Sequence, residues 1–196
     1  MTTLIKFESD WTHTDWFQDL DRCKDHRLVA IAGIPGSGKT TFAQILAEKF
    51  ERAIVVPMDG YHLPRCELSP ADLARRGAPH TFDASALKRD LASWKRTHSG
   101  KFPAFDHAKK DPEPEAIVVE PEHRIVIVEG LYLLAPDWEL APLFDTQLFL
   151  DCDLEIATDR LINRHVETGI CADRDEARKR VAENDLLNAE FVLRHC

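Results

Sequence analysis

Positive charge is in short supply in this chain: 25 Lys and Arg stand against 34 Asp and Glu, a formal net charge of −9 at pH 7. A broad nucleic-acid-binding surface is therefore not expected, and a polyanionic ligand needs a local cationic pocket. Long apolar runs are missing as well. None approaches the roughly 18 residues that a membrane-crossing helix requires, so no membrane partner is expected. The opening MTTLIKFESDW lacks the basic and apolar regions of an export signal. The five cysteines (Cys23, Cys66, Cys152, Cys171 and Cys196) are odd in number and none stands in a C-x-x-C pair. That pattern fits reduced thiols and argues against a disulfide framework or a zinc site, so a cytoplasmic location is expected. Repeats, low-complexity tracts and a flexible interdomain linker are also missing, and 196 residues suffice for one well-cored domain spanning 1–196.

What is present is an alternation of apolar strands and amphipathic helices. RLVAIAG (27–33), AIVVPMD (53–59), RIVIVEG (124–130) and TQLFLDCD (146–153) are continuous rather than alternating apolar runs. Such runs suit parallel strands covered on both faces, and the β-α-β order predicts a doubly wound α/β domain. KTTFAQILAEKF (39–50) has helical spacing, WTHTDWFQDLDRCKDH (11–26) reads as an amphipathic helix packed outside, and DASALKRDLASWKRTH (83–98) as another. The core is thus expected over 27–153, interrupted by a proline-bearing insertion at about 60–115, after which AIVVEP (116–121) reads as a short strand. An insertion of that length points to function. Residues 154–169 and 174–185 read as helices of a small lid, with Gly169 ending the first in a left-handed conformation.

Gly33-Ile34-Pro35-Gly36-Ser37-Gly38-Lys39-Thr40 matches G-x-x-x-x-G-K-[ST], the Walker A form of the phosphate-binding loop. Small residues let the backbone curl so that successive N–H groups point inward at phosphate oxygens, and the following helix adds its positive dipole end. Lys39 can bridge β- and γ-phosphates, and the Thr40 hydroxyl can hold a magnesium ion. Gly33, Pro35, Gly36, Ser37, Gly38, Lys39, Thr40 and Thr41 are the expected nucleotide contacts. The motif sits between an apolar strand and a helix, as its mechanics demand.

Two carboxylates stand at ends of predicted strands. Glu129 closes IVIVE, at the edge where open parallel sheets place ligands, and is expected to serve the metal's water shell or the substrate. Asp59 closes VVPMD, on the same edge if the strands are parallel, where a carboxylate can accept a proton from an attacking hydroxyl. Its rival role is that of a turn residue in Asp-Gly. His62 follows that turn as a lone histidine, and Tyr61 joins Phe82, Phe102 and Phe105 as the aromatics able to stack a base.

GIPGSGKTT, MDGYHL, RRGAPHTFD, PAFDHAKKDP and IVEGLYLL occur in an order that resembles the uridine kinase, phosphoribulokinase and bacterial pantothenate kinase superfamily of P-loop kinases. The likeness spans about 27–192 and is strongest to the pantothenate-kinase-like and fructose-kinase-like members. It implies transfer of the ATP γ-phosphate, with Mg2+, to a hydroxyl of a small metabolite of pantothenate, nucleoside, sugar or glycerate type. By that resemblance Asp59 is the base or substrate-orienting carboxylate, Tyr61, His62, Arg76 and His107 line the acceptor side, and Glu129 lies beside metal or acceptor. The helical tail resembles the lid of these kinases. Arg160 and Arg164 stand four apart on one helix face, where Arg160 can stabilise charge in the transition state and Arg164 can close over the phosphates. Asn184, Asp185 and Asn188 serve either the adenine side or the fold. A small-molecule acceptor is the partner implied, with a homodimer left open. The rival classes are a GTPase switch, against which N-K-x-D and D-x-x-G are missing, and a nucleotide-binding regulatory or partner module without small-molecule phosphorylation, against which the intact Lys39, Thr40 and Asp59 weigh.

Overall fold

The computed structural model describes residues 1–196. Its central sheet holds β1 (Thr2–Lys6), β2 (Arg27–Ala32), β3 (Ala53–Pro57), β6 (Ile125–Gly130) and β7 (Thr146–Asp151). A separate hairpin is made by β4 (Gly100–Asp106) and β5 (Asp111–Val119), paired antiparallel. The sheet runs in the order β1-β7-β2-β6-β3 and every pair in it is parallel. The helices are α1 (Asp15–Arg22), α2 (Lys39–Glu48), α3 (Pro70–Ala74), α4 (Ala84–Thr97), α5 (Leu154–Glu167), α6 (Arg174–Arg180) and α7 (Leu186–His195).

The continuous apolar strands are explained by cores on both faces. Within β2 and β6 the side chains alternate: Leu28, Ala30, Val126 and Val128 join the core with Leu87, Leu91 and Trp94 of α4 and Val192 of α7. Val29, Ile31, Ile125 and Ile127 join the other, with Phe42 and Leu46 of α2 and Leu20 of α1. All of β6 is buried, as a central strand under two layers must be. A third, small cluster of Leu161, Ile162, Cys171, Ala177 and Val181 holds α5 to α6.

Four features differ from the sequence reading. The segment MTTLIK is a strand: β1 pairs with β7 at the sheet edge and buries Ile5. The expected helix over 11–26 is a single 3-10 turn, Trp11–His13, followed by α1. Thr14 separates them by adopting extended backbone and donating its hydroxyl to the Trp11 carbonyl at 2.6 Å. The expected strand at AIVVEP is there at 116–119, but the proline-bearing stretch before it is strand as well and completes the hairpin, because Phe102 and Val119 supply buried anchors in the main core. The final helix does not end at 185: a π-helical turn, Val181–Asp185, leads into α7. Gly169 does take a left-handed conformation, with φ of 66°, just past the end of α5.

Because β1 closes the sheet beside β7, its one buried apolar side chain should matter for the whole fold. Ile5→Ala is expected to cost about 2–4 kcal/mol in urea unfolding, as for other buried Ile truncations. A change below about 0.5 kcal/mol would mean that β1 frays independently of the core.

Candidate active site

The parallel register carries the functional groups to one edge. Ile31 of β2 lies level with Glu129 of β6, and Pro57 of β3 lies level with the same Glu129. The chain then runs two residues from Ile31 to Gly33, where the glycine loop begins, and two residues from Pro57 to Asp59. Loop, Asp59 and Glu129 therefore emerge together, as an open parallel sheet places its ligand-facing groups.

The loop is shaped for a partner it does not supply itself. Gly36 has φ of 78°, and a Cβ there would lie 2.4 Å from the carbonyl oxygen of Ala157 on α5. Any side chain would thus be strained and would push the lid helix away. Gly38, at φ of 92°, is the N-cap of α2 and provides no side-chain acceptor. Contrast α4 and α5, whose first N–H groups are accepted by Asp83 and Asp153. The N-terminal amides of α2 are left for an anion. Ser37 Oγ is buried beside them without a hydrogen-bond partner.

Lys39 is half-buried at the start of α2. Burial holds its ammonium below the usual lysine range, and Arg164 adds to that; Glu129 and then Asp59 oppose it by attraction. Glu129 is only 5% exposed. Burial, reinforced by Asp59, raises its carboxyl above the ordinary value, while Lys39 and Thr40 hold it down. The Thr40 hydroxyl donates to Glu129 Oε1 at 3.1 Å. A hydroxyl and a carboxylate so placed fit Mg2+, which takes few protein ligands and keeps several waters.

Arg160 donates to the Ser37 carbonyl at 3.4 Å, and neither it nor Arg164 forms an ion pair. With Gly36, Gly38, Lys39, Thr40 and Thr41 they line a cleft of about 160 Å³. A larger cavity of about 570 Å³ adjoins it through Arg160, which lines both, and is also lined by Ser37. Phe7, Glu8 and Ser9, just after β1, line one side, and Asp151, Cys152, Asp153 and Ile156 the other. Sequence reasoning missed these N-terminal residues, since nothing in MTTLIKFES announces a strand paired with one more than 140 positions away.

On the acceptor side, Asp59 is half-buried and its carboxylate has no hydrogen-bond partner in the protein. The His62 ring lies 4.0 Å from that of Phe82 and 5.0 Å from that of Phe105. His107 is exposed and rests against Phe105. Two other expected contacts are turned to the fold. Tyr61 is buried and donates its hydroxyl to Asp90 of α4 at 2.7 Å. Arg76 donates to Asp111 and to the carbonyls of Leu63 and Lys110, which ties the hairpin to the segment after α3. Its neighbour Arg75 donates to Asn184 Oδ1 at 2.6 Å and to Asn188 Oδ1 at 3.3 Å. Asp185 bonds His165 of α5 at 2.9 Å. Those three polar residues of the tail thus serve the fold in this structure.

Strand order, all-parallel pairing and an uncapped helix behind a glycine loop define an α/β P-loop NTPase. Comparison with known proteins carries this further: the profile of the Phosphoribulokinase / Uridine kinase family matches residues 28–169, and the chain belongs to that family. A Schizosaccharomyces pombe protein named "Putative uridine kinase C227.14" is 40% identical over 181 residues, covering 84% of this chain and 77% of that one. Among solved structures, a "putative fructose transport system kinase" from Silicibacter sp. TM1040 is 36% identical with a TM-score of 0.82, covering 89% of this chain and 87% of that one. YFH7 from Saccharomyces cerevisiae, described as "a putative P-loop containing kinase with a circular permutation", shares the fold at a TM-score of 0.72 and 23% identity over 87% of this chain and 89% of its own.

The burial of Glu129 has a consequence for stability. A carboxyl raised above its ordinary 4.5 holds its proton longer in the folded chain, so it favours folding most below that value and disfavours it as pH rises through the raised one. Glu129→Gln lacks this dependence. The stability of the variant relative to the parent should therefore increase from about pH 4 to about pH 7 in urea titrations. A difference that is flat across that range would contradict the burial cause.

Proposed function

We propose that this chain is an ATP- and Mg2+-dependent kinase that phosphorylates a hydroxyl of a small metabolite. The observation that carries the reading is Asp59: a carboxylate without a protein partner, on the edge shared with Lys39 and the N-terminus of α2, which has no side-chain cap. Family membership supports phosphoryl transfer as the reaction class.

In this reading the loop amides, Ser37 Oγ and Lys39 hold the phosphates of the donor nucleotide, and its nucleoside part occupies the 570 Å³ cavity. Pockets of a few hundred Å³ are the usual size for such ligands. Thr40 and Glu129 would hold the metal, which would supply charge neutralisation for the phosphates. Asp59 orients the acceptor hydroxyl and takes its proton as the oxygen attacks the γ-phosphorus. The new O–P bond forms as the bond to the β–γ bridging oxygen breaks, and ADP departs with that electron pair. Arg160 and Arg164, free of ion pairs, face charge that spreads over the transferring group, and α5 beneath them helps to exclude water. His62 and His107 form the acceptor wall. The net charge of −9 supports a small-molecule over a nucleic-acid partner, and no helix is long and apolar enough to cross a membrane.

Asp59→Asn keeps the shape of the turn and removes the proton acceptor. Turnover should fall by about 10²-fold or more while the affinity for ATP changes little. Lys39→Ala should abolish turnover and weaken ATP binding together. Both follow from ADP release with an active acceptor and from nucleotide titration. Full activity of Asp59→Asn removes the catalytic role; nucleotide-dependent capture of a protein, with no acceptor-dependent ATP consumption, favours the regulatory module instead.

A further inference from the structure

Resting on the kinase reading, we propose that the acceptor is an uncharged polyhydroxy compound, bound through hydroxyl groups that donate to Asp59 and His62, and that hydroxy acids are rejected.

A carboxylate-bearing acceptor needs a free guanidinium or ammonium, and the acceptor side has none to give. Arg75 is held by Asn184 and Asn188 and by the carbonyl of Glu183. Arg76 is 12% exposed, paired with Asp111 at 2.9 Å, and its two terminal nitrogens also meet main-chain carbonyls; its Nε has no partner but is buried out of a ligand's reach, and its guanidinium lies over the Phe105 ring. Lys109 is paired with Asp106 and Glu113. Arg65 and Lys110 have no ion pair, but both are exposed to water, where a single charge attracts weakly. Lys39, Arg160 and Arg164 belong to the phosphate side.

What faces the acceptor is negative or electron-donating. Asp59 and Glu129 are carboxylates acting on the same lysine. His62 Nδ1 lies 2.8 Å from the Asp59 carbonyl oxygen. A carbonyl can only accept, so Nδ1 carries the hydrogen, and in a neutral ring Nε2 then presents a lone pair. Burial, the largest influence on His62, favours that neutral ring over the attraction of Asp59 and Asp111 and with the repulsion of Arg76. Nε2 has no partner in the protein. Two acceptors three residues apart on one turn call for two hydroxyl donors, and a carboxylate brought against them would meet like charge without compensation. The flanking rings of Phe82 and Phe105 give the apolar wall against which the C–H faces of a polyol can lie.

Matched pairs that differ in a carboxylate test this directly: glycerol and glycerate, pantothenol and pantothenate, ribitol and ribonate, glucose and glucuronate, with fructose and uridine added as neutral members. ADP release is measured for each with the intact chain, ATP and Mg2+. The neutral member of an active pair should have a kcat/KM about tenfold or more above its acid. His62→Phe, which keeps the ring stack and removes Nε2, should raise KM for the active neutral acceptor about tenfold. A preference for the acid members, especially one lost in Lys110→Met or Arg65→Met, overturns the proposal and leaves the kinase reading in place. ATP binding without turnover of any member of either set overturns the kinase reading and this inference with it.

Discussion

The ammonium of Lys39 is held between opposing demands, and the site is organised around them. Its surroundings strip water from it, which favours loss of the proton, while Glu129 and Asp59 attract the charged form. The amides at the start of α2 point into the same space without a side-chain cap, and Ser37 Oγ waits there unpaired. An array of donors of this kind is costly to leave dry and is satisfied by a polyanion, whose charge also compensates Lys39, Arg160 and Arg164. The parallel register keeps Asp59 and Glu129 within electrostatic reach of that array without neutralising the arginines. In the proposed reaction, phosphate binding and hydroxyl activation are two sides of one charge balance.

The lid and the acceptor insertion are mounted on that balance through buried polar contacts. The π-helical turn between α6 and α7 presents successive side chains in different directions. Asn184 meets Arg75 of the insertion, and Asp185 meets His165 of α5, the helix that carries Arg160 and Arg164. Tyr132, buried just beyond β6, donates to the Gly77 carbonyl and so fixes the same insertion to the strand that bears Glu129. Asn184, His165 and Tyr132 are each more than nine-tenths buried, and each has a hydrogen-bonded partner. A regular α-turn in place of the π-turn would rotate one of the two tail residues away from its partner. The insertion and the tail helices are therefore joined by side-chain hydrogen bonds as well as through the main apolar core.

Much of the sheet and of the phosphate site was legible in the residues. The apolar runs at 27–33, 53–59, 124–130 and 146–153 are strands because each side chain finds a core on its own face, and a run with that property looks the same in sequence as in space. The glycine loop carries its own local requirements, positive φ and no Cβ near α5, so it announces itself. Arg75, Tyr132, Phe7 and Glu8 gave no such signal. Their roles depend on what lies across the fold, and Arg75 was not distinguishable from Arg76 beside it. Tyr61 and Arg76 were read toward the acceptor, yet their polar ends meet Asp90 and Asp111, partners separated from them by 29 and 35 positions.

By itself the sequence determined the α/β class, the phosphate loop with Lys39 and Thr40, and the strand-end carboxylates, because those depend on local backbone preference and on the period of apolar residues. The tertiary structure alone decided that β1 completes the sheet from the N-terminal side, that residues 7–9 wall the larger cavity, and which arginines remain free. These are matters of pairing between distant segments. A charge is available to a ligand only when no carboxylate or carbonyl reaches it first, and that competition is settled in three dimensions.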